Sequence, residues 1–345
     1  EVAARLEAFA EGGSAEWCWD GEVPADPAPP VFVFCGQGSQ RPGMGLGLYA
    51  DEPVFRETLD RCARVFRDLA GWDLVEELGR SPDSTKLDIT EFAQPSIFAV
   101  QAGLTALLEC WGIRPAAVTG HSVGEVAAAC ASGALDLETA ARVVLERARS
   151  MDSPPCEGRM LSASMPHREA LDFLRGIDRH VAIGAINSPK TIVFSGDRGP
   201  LEELDARLRG AGIATRWLPV KYSFHSHHVD PSRARLLKAL AGVRAAPPGV
   251  RIVSTVHGGD GTASDFDAGY WWANVRHPVF FAGAIRSLAR SGHRLFVEIG
   301  AQAVLSRPVI ESLSAEKIRD GRMLATLRRS GNERAALLET VGRLH

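Results

Sequence analysis

Gly120-His121-Ser122-Val123-Gly124 places a serine with a glycine two residues to either side. Glycines there let a strand turn sharply into a helix, lifting the hydroxyl onto the exposed edge of a sheet. A helix N-terminus under that oxygen favours negative charge developing beside it. The chemistry this suits is attack by Ser122 on a carbonyl carbon. The apolar stretch 115–119 before the motif and the small-residue run to Ala131 after it supply the strand and helix that separate it from a chance match.

A serine hydroxyl is barely ionised at neutral pH and needs a base. Tyr222-Ser223-Phe224-His225-Ser226-His227-His228 offers three imidazoles. The cluster admits a base, a metal-binding set or a surface loop, and spacing does not choose among its histidines. The only carboxylate at ligand spacing is Asp230, with no cysteine nearby, so no metal is expected.

Gly36-Gln37-Gly38-Ser39-Gln40-Arg41 follows the apolar run 31–34. It carries the first two glycines of a dinucleotide fingerprint, but Arg41 stands third and Pro42-Gly43 oppose a helix, so a nucleotide site is not expected. The turn fits either half of an oxyanion hole or an ordinary strand end. Arg147 sits at the edge of an apolar helical stripe formed by Leu137, Ala141, Val144 and Ala148. Such an arginine either snorkels or holds a buried anion, and the residues alone favour snorkelling.

The elements that must carry these groups follow from the hydrophobic pattern. Strands over 31–34 and 115–119 alternate with helices over 53–69, 96–111 and 136–150, the last capped by Asp136. That alternation implies an α/β fold with a parallel sheet covered on both faces. Between 158 and 222 the rhythm changes: strand 159–165, helix 167–175, strand 181–186, an Asn187-Ser188-Pro189 turn, strand 191–195, helix 200–208 and strand 214–220. The order βαββαβ is the ferredoxin-like unit. A strand at 250–256, a helix at 278–289 and a strand at 295–299 then resume the larger pattern. The small domain, 158–222, is therefore expected as an insertion between two parts of the large one, 31–157 and 223–325. Residues 1–30 (Val2, Leu6 and Phe9 on one helical face, then Trp17, Trp19 and prolines to Pro30) read as a connector.

A chain of 345 residues at 45% hydrophobic and 23% charged is globular, with about two domains. Net charge is −3, so nucleic acid is not expected as a partner. Only 5 of 39 basic residues are lysine, which leaves many guanidinium forks for carboxylates or phosphates. Cys18, Cys35, Cys62, Cys110, Cys130 and Cys156 form no CxxC pair, consistent with free thiols in a reducing, cytoplasmic setting. No signal peptide is evident, and no apolar run reaches the ~18 residues of a membrane span. The first residue is Glu1, which suggests a domain cut from a longer protein.

Gly36-Gln37-Gly38-Ser39-Gln40, Gln94-Pro95, the Ser122 motif with Glu125, Arg147, 222–225 and Tyr270-Trp271-Trp272-Ala273-Asn274-Val275-Arg276-His277-Pro278, in that order, resemble the acyltransferase (AT) domains of modular type I polyketide synthases, within the malonyl-CoA:acyl carrier protein transacylase family. The resemblance implies an α/β-hydrolase-like large subdomain with an inserted ferredoxin-like small one, a ketosynthase-to-AT linker over 1–30 and a post-AT linker over 326–345. It implies Ser122 as the acyl-accepting nucleophile of a ping-pong reaction, His225 as its base, and the backbone carbonyl of Asn274 as the group orienting that histidine. It assigns the oxyanion hole to the backbone N–H groups of Gln37 and Val123. Arg147 becomes the partner of a dicarboxylic acyl group, displacing the snorkelling reading, and Gln94, His121, Tyr222 and Phe224 line the substrate pocket. The resemblance further implies acyl-CoA as the substrate, no bound cofactor, and as partners an acyl carrier protein bearing phosphopantetheine and a neighbouring ketosynthase. Val123 and Phe224 go with malonyl selectivity, whereas Tyr222 departs from it toward methylmalonyl. Cys35, Ser188 and Ala301-Gln302 are further departures that remove no catalytic group. A serine hydrolase of acyl thioesters and a non-catalytic docking module are the competing readings.

Overall fold

Val31–Phe34 is apolar at all four positions and fully buried, which a strand requires only when both faces of its sheet are covered. The computed structural model describes residues 29–151, 158–220 and 222–344. In it this strand, β1, is central to a five-stranded sheet with β2 (Ala117–Gly120), β7 (Arg251–Val253), β8 (Leu295–Ile299) and β9 (Arg322–Ala325), in the order β7-β2-β1-β8-β9. Every neighbouring pair is parallel. Helices Pro53–Ala70, Thr90–Cys110, Gly124–Ala131, Leu137–Met151 and Phe281–Arg290 enclose it, and their buried faces merge with the strands into one core.

The second sheet comprises β3 (Gly158–Ala163), β4 (Val181–Ser188), β5 (Thr191–Asp197) and β6 (Thr215–Trp217), in the order β4-β5-β3-β6 with antiparallel neighbours. Helices His167–Leu174 and Arg198–Gly210 complete βαββαβ, and this unit has its own core around Leu161, Phe194, Leu201 and Leu204. It lies in sequence between β2 and β7 of the large sheet, as an insertion must. The two units are joined at β4, where the Ile186 amide donates to the Val279 carbonyl (2.9 Å) and the Val279 amide to Gly184 (3.0 Å).

Some boundaries differ from expectation. The helix expected over 96–111 begins at Thr90, with Pro95 inside it. Proline there removes one amide donor, a loss outweighed by burial of sixteen of the helix's residues. The strand expected over 250–256 ends at Val253, because the chain turns at Ser254, whose carbonyl accepts the Gly258 amide. The strand expected over 214–220 is confined to Thr215–Trp217. The connector 1–30 lies almost wholly outside the described residues. Among those described, no helix is long and apolar enough to cross a membrane.

Candidate active site

Ser122 lies two residues after the end of β2 and two before the helix Gly124–Ala131, with φ 54° in the left-handed region. A non-glycine residue held there costs about 1–3 kcal/mol and persists only where its surroundings enforce it. Gly124 does so: a Cβ on it would stand 2.2 Å from the Phe34 carbonyl oxygen at the end of β1, so only glycine lets the helix start this close to the sheet. The His121 amide donates to that same carbonyl (2.8 Å), which pins the elbow to β1.

Of the three histidines, His225 is the one that reaches Ser122. Its Nε2 is 2.8 Å from Ser122 Oγ, and its own backbone is also left-handed, with φ 59°. Its Nδ1 faces the carbonyl of His277 at 2.9 Å. A carbonyl only accepts, so Nδ1 carries the proton and Nε2 is free to take one from serine. This corrects the assignment to Asn274: the orienting carbonyl belongs to His277, where the chain leaves the helix Ala268–Arg276 and its carbonyls are no longer bonded within the helix. Burial above all, and then the charge of Arg147, pushes the His225 imidazole down to about 3.

Asn274 works through its side chain. Its Oδ1 accepts from Arg147 Nε (2.9 Å) while its Nδ2 donates to Glu125 Oε2 (2.8 Å) and to the Ser122 carbonyl (3.2 Å). Arg147 is fully buried and also donates from Nη1 to Gln94 Oε1 (2.6 Å) and from Nη2 to Ser122 Oγ (2.9 Å). Among the described residues it makes no ion pair, and burial pulls its guanidinium down to about 9, with Glu125 opposing. Its surroundings therefore rule out snorkelling. A buried cation surrounded by neutral acceptors is costly, and a carboxylate ligand relieves that cost.

Gln94 joins this cation to the turn after β1, since its Nε2 donates to Gln37 Oε1 (3.2 Å). The backbone N–H groups of Gln37 and Val123 have no acceptor among the described residues, which leaves both free to donate to a ligand oxygen. His121 turns toward the insertion, with Nε2 2.7 Å from Asn187 Oδ1 and its ring edge on Phe281. Phe224 is buried beside His225 and stacks on the half-buried Tyr222, their centroids 5.3 Å apart. His227 and His228 point away from Ser122, toward Asp197.

Sequence reasoning placed Glu125 in the Ser122 motif but gave it no role. It accepts from the Thr255 amide (2.8 Å), Thr255 Oγ1 (3.1 Å), Tyr270 hydroxyl (2.6 Å) and Asn274, entirely within the core. Burial pushes its carboxyl above the ordinary range, against these donors. Its place one helical turn after Ser122 is the signal that could have found it. His277 left none, because a backbone carbonyl has no residue-type signature.

Residues 31–345 match the family described as acyl transferase domain. The whole chain is 38% identical to polyketide synthase GfsA of Streptomyces halstedii, yet spans only 5% of that protein. Among solved structures, the acyltransferase domain from module 8 of the salinomycin polyketide synthase superposes with a TM-score of 0.93 at 35% identity, over 99% of this chain and 80% of that one. Malonyl CoA-acyl carrier protein transacylase from Clostridium perfringens superposes with a TM-score of 0.83 at 25% identity, over 92% and 97% of the two chains.

Proposed function

The chain belongs to the acyl transferase domain family, and we propose that it loads a malonyl extender group from CoA onto an acyl carrier protein within a polyketide synthase. The observation that carries the substrate class is Arg147, buried and without a hydrogen-bonded carboxylate among the described residues, its Nη2 2.9 Å from the attacking oxygen. An acyl carboxylate gripped by that guanidinium lies very near the reacting carbonyl, as in a malonyl thioester with one intervening carbon. Acetyl would leave the cation unpaired.

In the first half-reaction Ser122 Oγ attacks the thioester carbonyl while its proton passes to His225 Nε2. Charge growing on the carbonyl oxygen is received by the N–H groups of Gln37 and Val123. The C–S bond breaks, and CoA thiolate leaves with the proton from His225. In the second half-reaction the phosphopantetheine thiol of the carrier protein gives its proton to His225 and attacks the acyl-serine. The C–O bond breaks and Ser122 recovers its proton. No metal or cofactor enters either half. The substrate also tunes the base: its carboxylate offsets the Arg147 charge, the second cause depressing His225, so the imidazole becomes more basic once the acyl group is in place.

Malonyl over methylmalonyl rests on Phe224, whose buried ring stacks on Tyr222 and, next to His225, would occupy space that an α-methyl needs. One methyl is worth about 1–3 kcal/mol, or roughly 10–200-fold. The carrier protein and a neighbouring ketosynthase follow as partners from relatives that are far longer synthases.

The test is competition between malonyl-CoA and methylmalonyl-CoA for the acyl-enzyme, read by mass spectrometry of the intact chain. A malonyl adduct confined to Ser122, and absent from Ser122→Ala, is expected. A larger methylmalonyl adduct overturns the substrate assignment, and steady CoA release without carrier protein, as fast as transfer, makes the chain a hydrolase.

A further inference from the structure

Asp197 ends β5 and occupies the N-cap position of the helix Arg198–Gly210, yet its side chain makes no capping bond. An N-cap aspartate ordinarily accepts from the first turn of its helix. Here the carboxylate is turned instead toward three imidazoles. His228 Nε2 lies 2.6 Å and His227 Nε2 3.2 Å from the same oxygen, Oδ1, while His180 Nδ1 lies 2.8 Å from Oδ2. The ligand atoms of Asp197, His227 and His228 all fall within 4.8 Å of one another. The imidazoles of His227 and His228 are adjacent, with centroids 4.3 Å apart. Asp230, the carboxylate nearest in sequence, is committed to Arg276 at 2.7 Å.

Both arms of this cluster are held by backbone. The Asp197 amide donates to the His180 carbonyl (2.9 Å), an approach close enough that a Cβ on Gly196 would stand 2.1 Å from that oxygen. Ser226 caps the 3-10 turn His227–Ser232 by accepting from the His228 amide (3.3 Å), and its hydroxyl donates to the Ser223 carbonyl (2.6 Å). The donors are two imidazole nitrogens and one carboxylate oxygen, which is the chemistry of a borderline cation such as Zn²⁺. Ligands about 2.1 Å from a tetrahedral ion stand about 3.4 Å apart, so the carboxylate needs to withdraw by less than about 1 Å to admit one.

We propose that Asp197, His227 and His228 bind one divalent transition-metal ion of the zinc class at the junction of the two subdomains, with His180 bracing the carboxylate as an outer-sphere partner. The ion ties the turn that begins two residues after His225 to the end of β5, and so fastens the catalytic histidine's segment to the inserted subdomain. It touches no reacting group and takes no part in acyl transfer. Its role is a clamp, independent of which acyl group is carried.

The test is calorimetric titration of the chelator-treated 345-residue chain with Zn²⁺, repeated with Co²⁺ as a spectroscopic probe. One equivalent binds, and the thermal midpoint rises with free Zn²⁺ as linkage requires. The Co²⁺ complex shows no thiolate charge-transfer band, which separates this site from the exposed Cys110. Asp197→Asn and His228→Asn each weaken binding by roughly tenfold or more, and His180→Asn by about tenfold. Absence of one-to-one binding, a thiolate band, or affinity unchanged in both ligand variants overturns the proposal. Stoichiometry and the cobalt spectrum of the unmodified chain decide it even where a variant folds poorly.

Discussion

Arg147 and His225 illustrate how far one side chain's surroundings set its chemistry. Arg147 donates to three neutral oxygens inside the core and makes no ion pair among the described residues, which is the basis for proposing an acyl carboxylate as its partner. Arg147→Ala should lower the malonyl acylation rate by about 100-fold or more, since truncating one side of a buried charge pair costs about 2–5 kcal/mol. Acetyl-CoA, which gains nothing from the cation, should lose far less, and equal losses for both thioesters in single-turnover acylation would refute the pairing. His225 carries a second prediction. Its folded value near 3 lies below the ordinary 6.5, so the unfolded chain binds a proton that the folded chain refuses. Stability from this group is therefore unaffected above pH 6.5 and falls as pH drops from there toward 3. At pH 5 the loss is about 2 kcal/mol. Urea unfolding at pH 7.5 and pH 5 should show a smaller pH dependence in His225→Gln than in the unmodified chain.

At the scale of elements, the sheet edge makes the site and glycine sets how closely its parts approach. β1 and β2 are parallel neighbours that end together, Phe34 opposite Gly120, so the turn bearing Gln37 and the elbow bearing Ser122 leave the same edge side by side. The helix Gly124–Ala131 begins against the end of β1, with no room for a side chain on Gly124. Gly124→Ala should push helix and strand apart, cost about 1–3 kcal/mol by denaturant midpoint, and slow acylation by separating the proposed oxyanion-hole amides of Gln37 and Val123. A variant with native stability and rate would show that the elbow tolerates the displacement. These elements were legible in the sequence because their causes are local. An apolar four-residue run followed by glycines reads as a buried strand and a tight turn. Pro95 misled for the same reason: its local effect is to break a helix, and only burial of the surrounding helix against the core overrides that.

Across the whole molecule, the residues of the candidate site come from segments far apart in the chain, and the helix Glu333–Leu344 packs back toward them. Ser122 and His225 are separated in sequence by the entire insertion, yet lie 2.8 Å apart because β4 docks on the segment around Val279 and returns the chain to the sheet edge. Glu333, at the start of the helix Glu333–Leu344, reaches back to Arg41 (2.6 Å) and to the amides of Gly45 (2.8 Å) and Gly47 (3.2 Å), just beyond the Gln37 turn. Glu333→Ala leaves a part-buried guanidinium and two amides without their acceptor. It should cost about 1–3 kcal/mol and lower the acylation rate, while Glu339→Ala, removing only the pairing with the exposed Arg328, should leave the rate intact. Equal effects on rate would detach the C-terminal helix from the site.

The sequence by itself determined the α/β class, the inserted βαββαβ unit and the serine elbow, because each is written in local period or turn chemistry, whereas for Arg147 the residues alone favour snorkelling and only the family resemblance points to a buried anion partner. The tertiary structure decided which of three histidines faces the serine, that His277 rather than Asn274 lends its carbonyl, that Arg147 makes no ion pair among the described residues, and that Asp197 gathers the two remaining histidines. The physical reason is common to all four. A hydrogen-bond or ligand partner is chosen by distances near 3 Å between segments tens to hundreds of residues apart, and spacing along a chain does not encode such distances until packing brings the segments together.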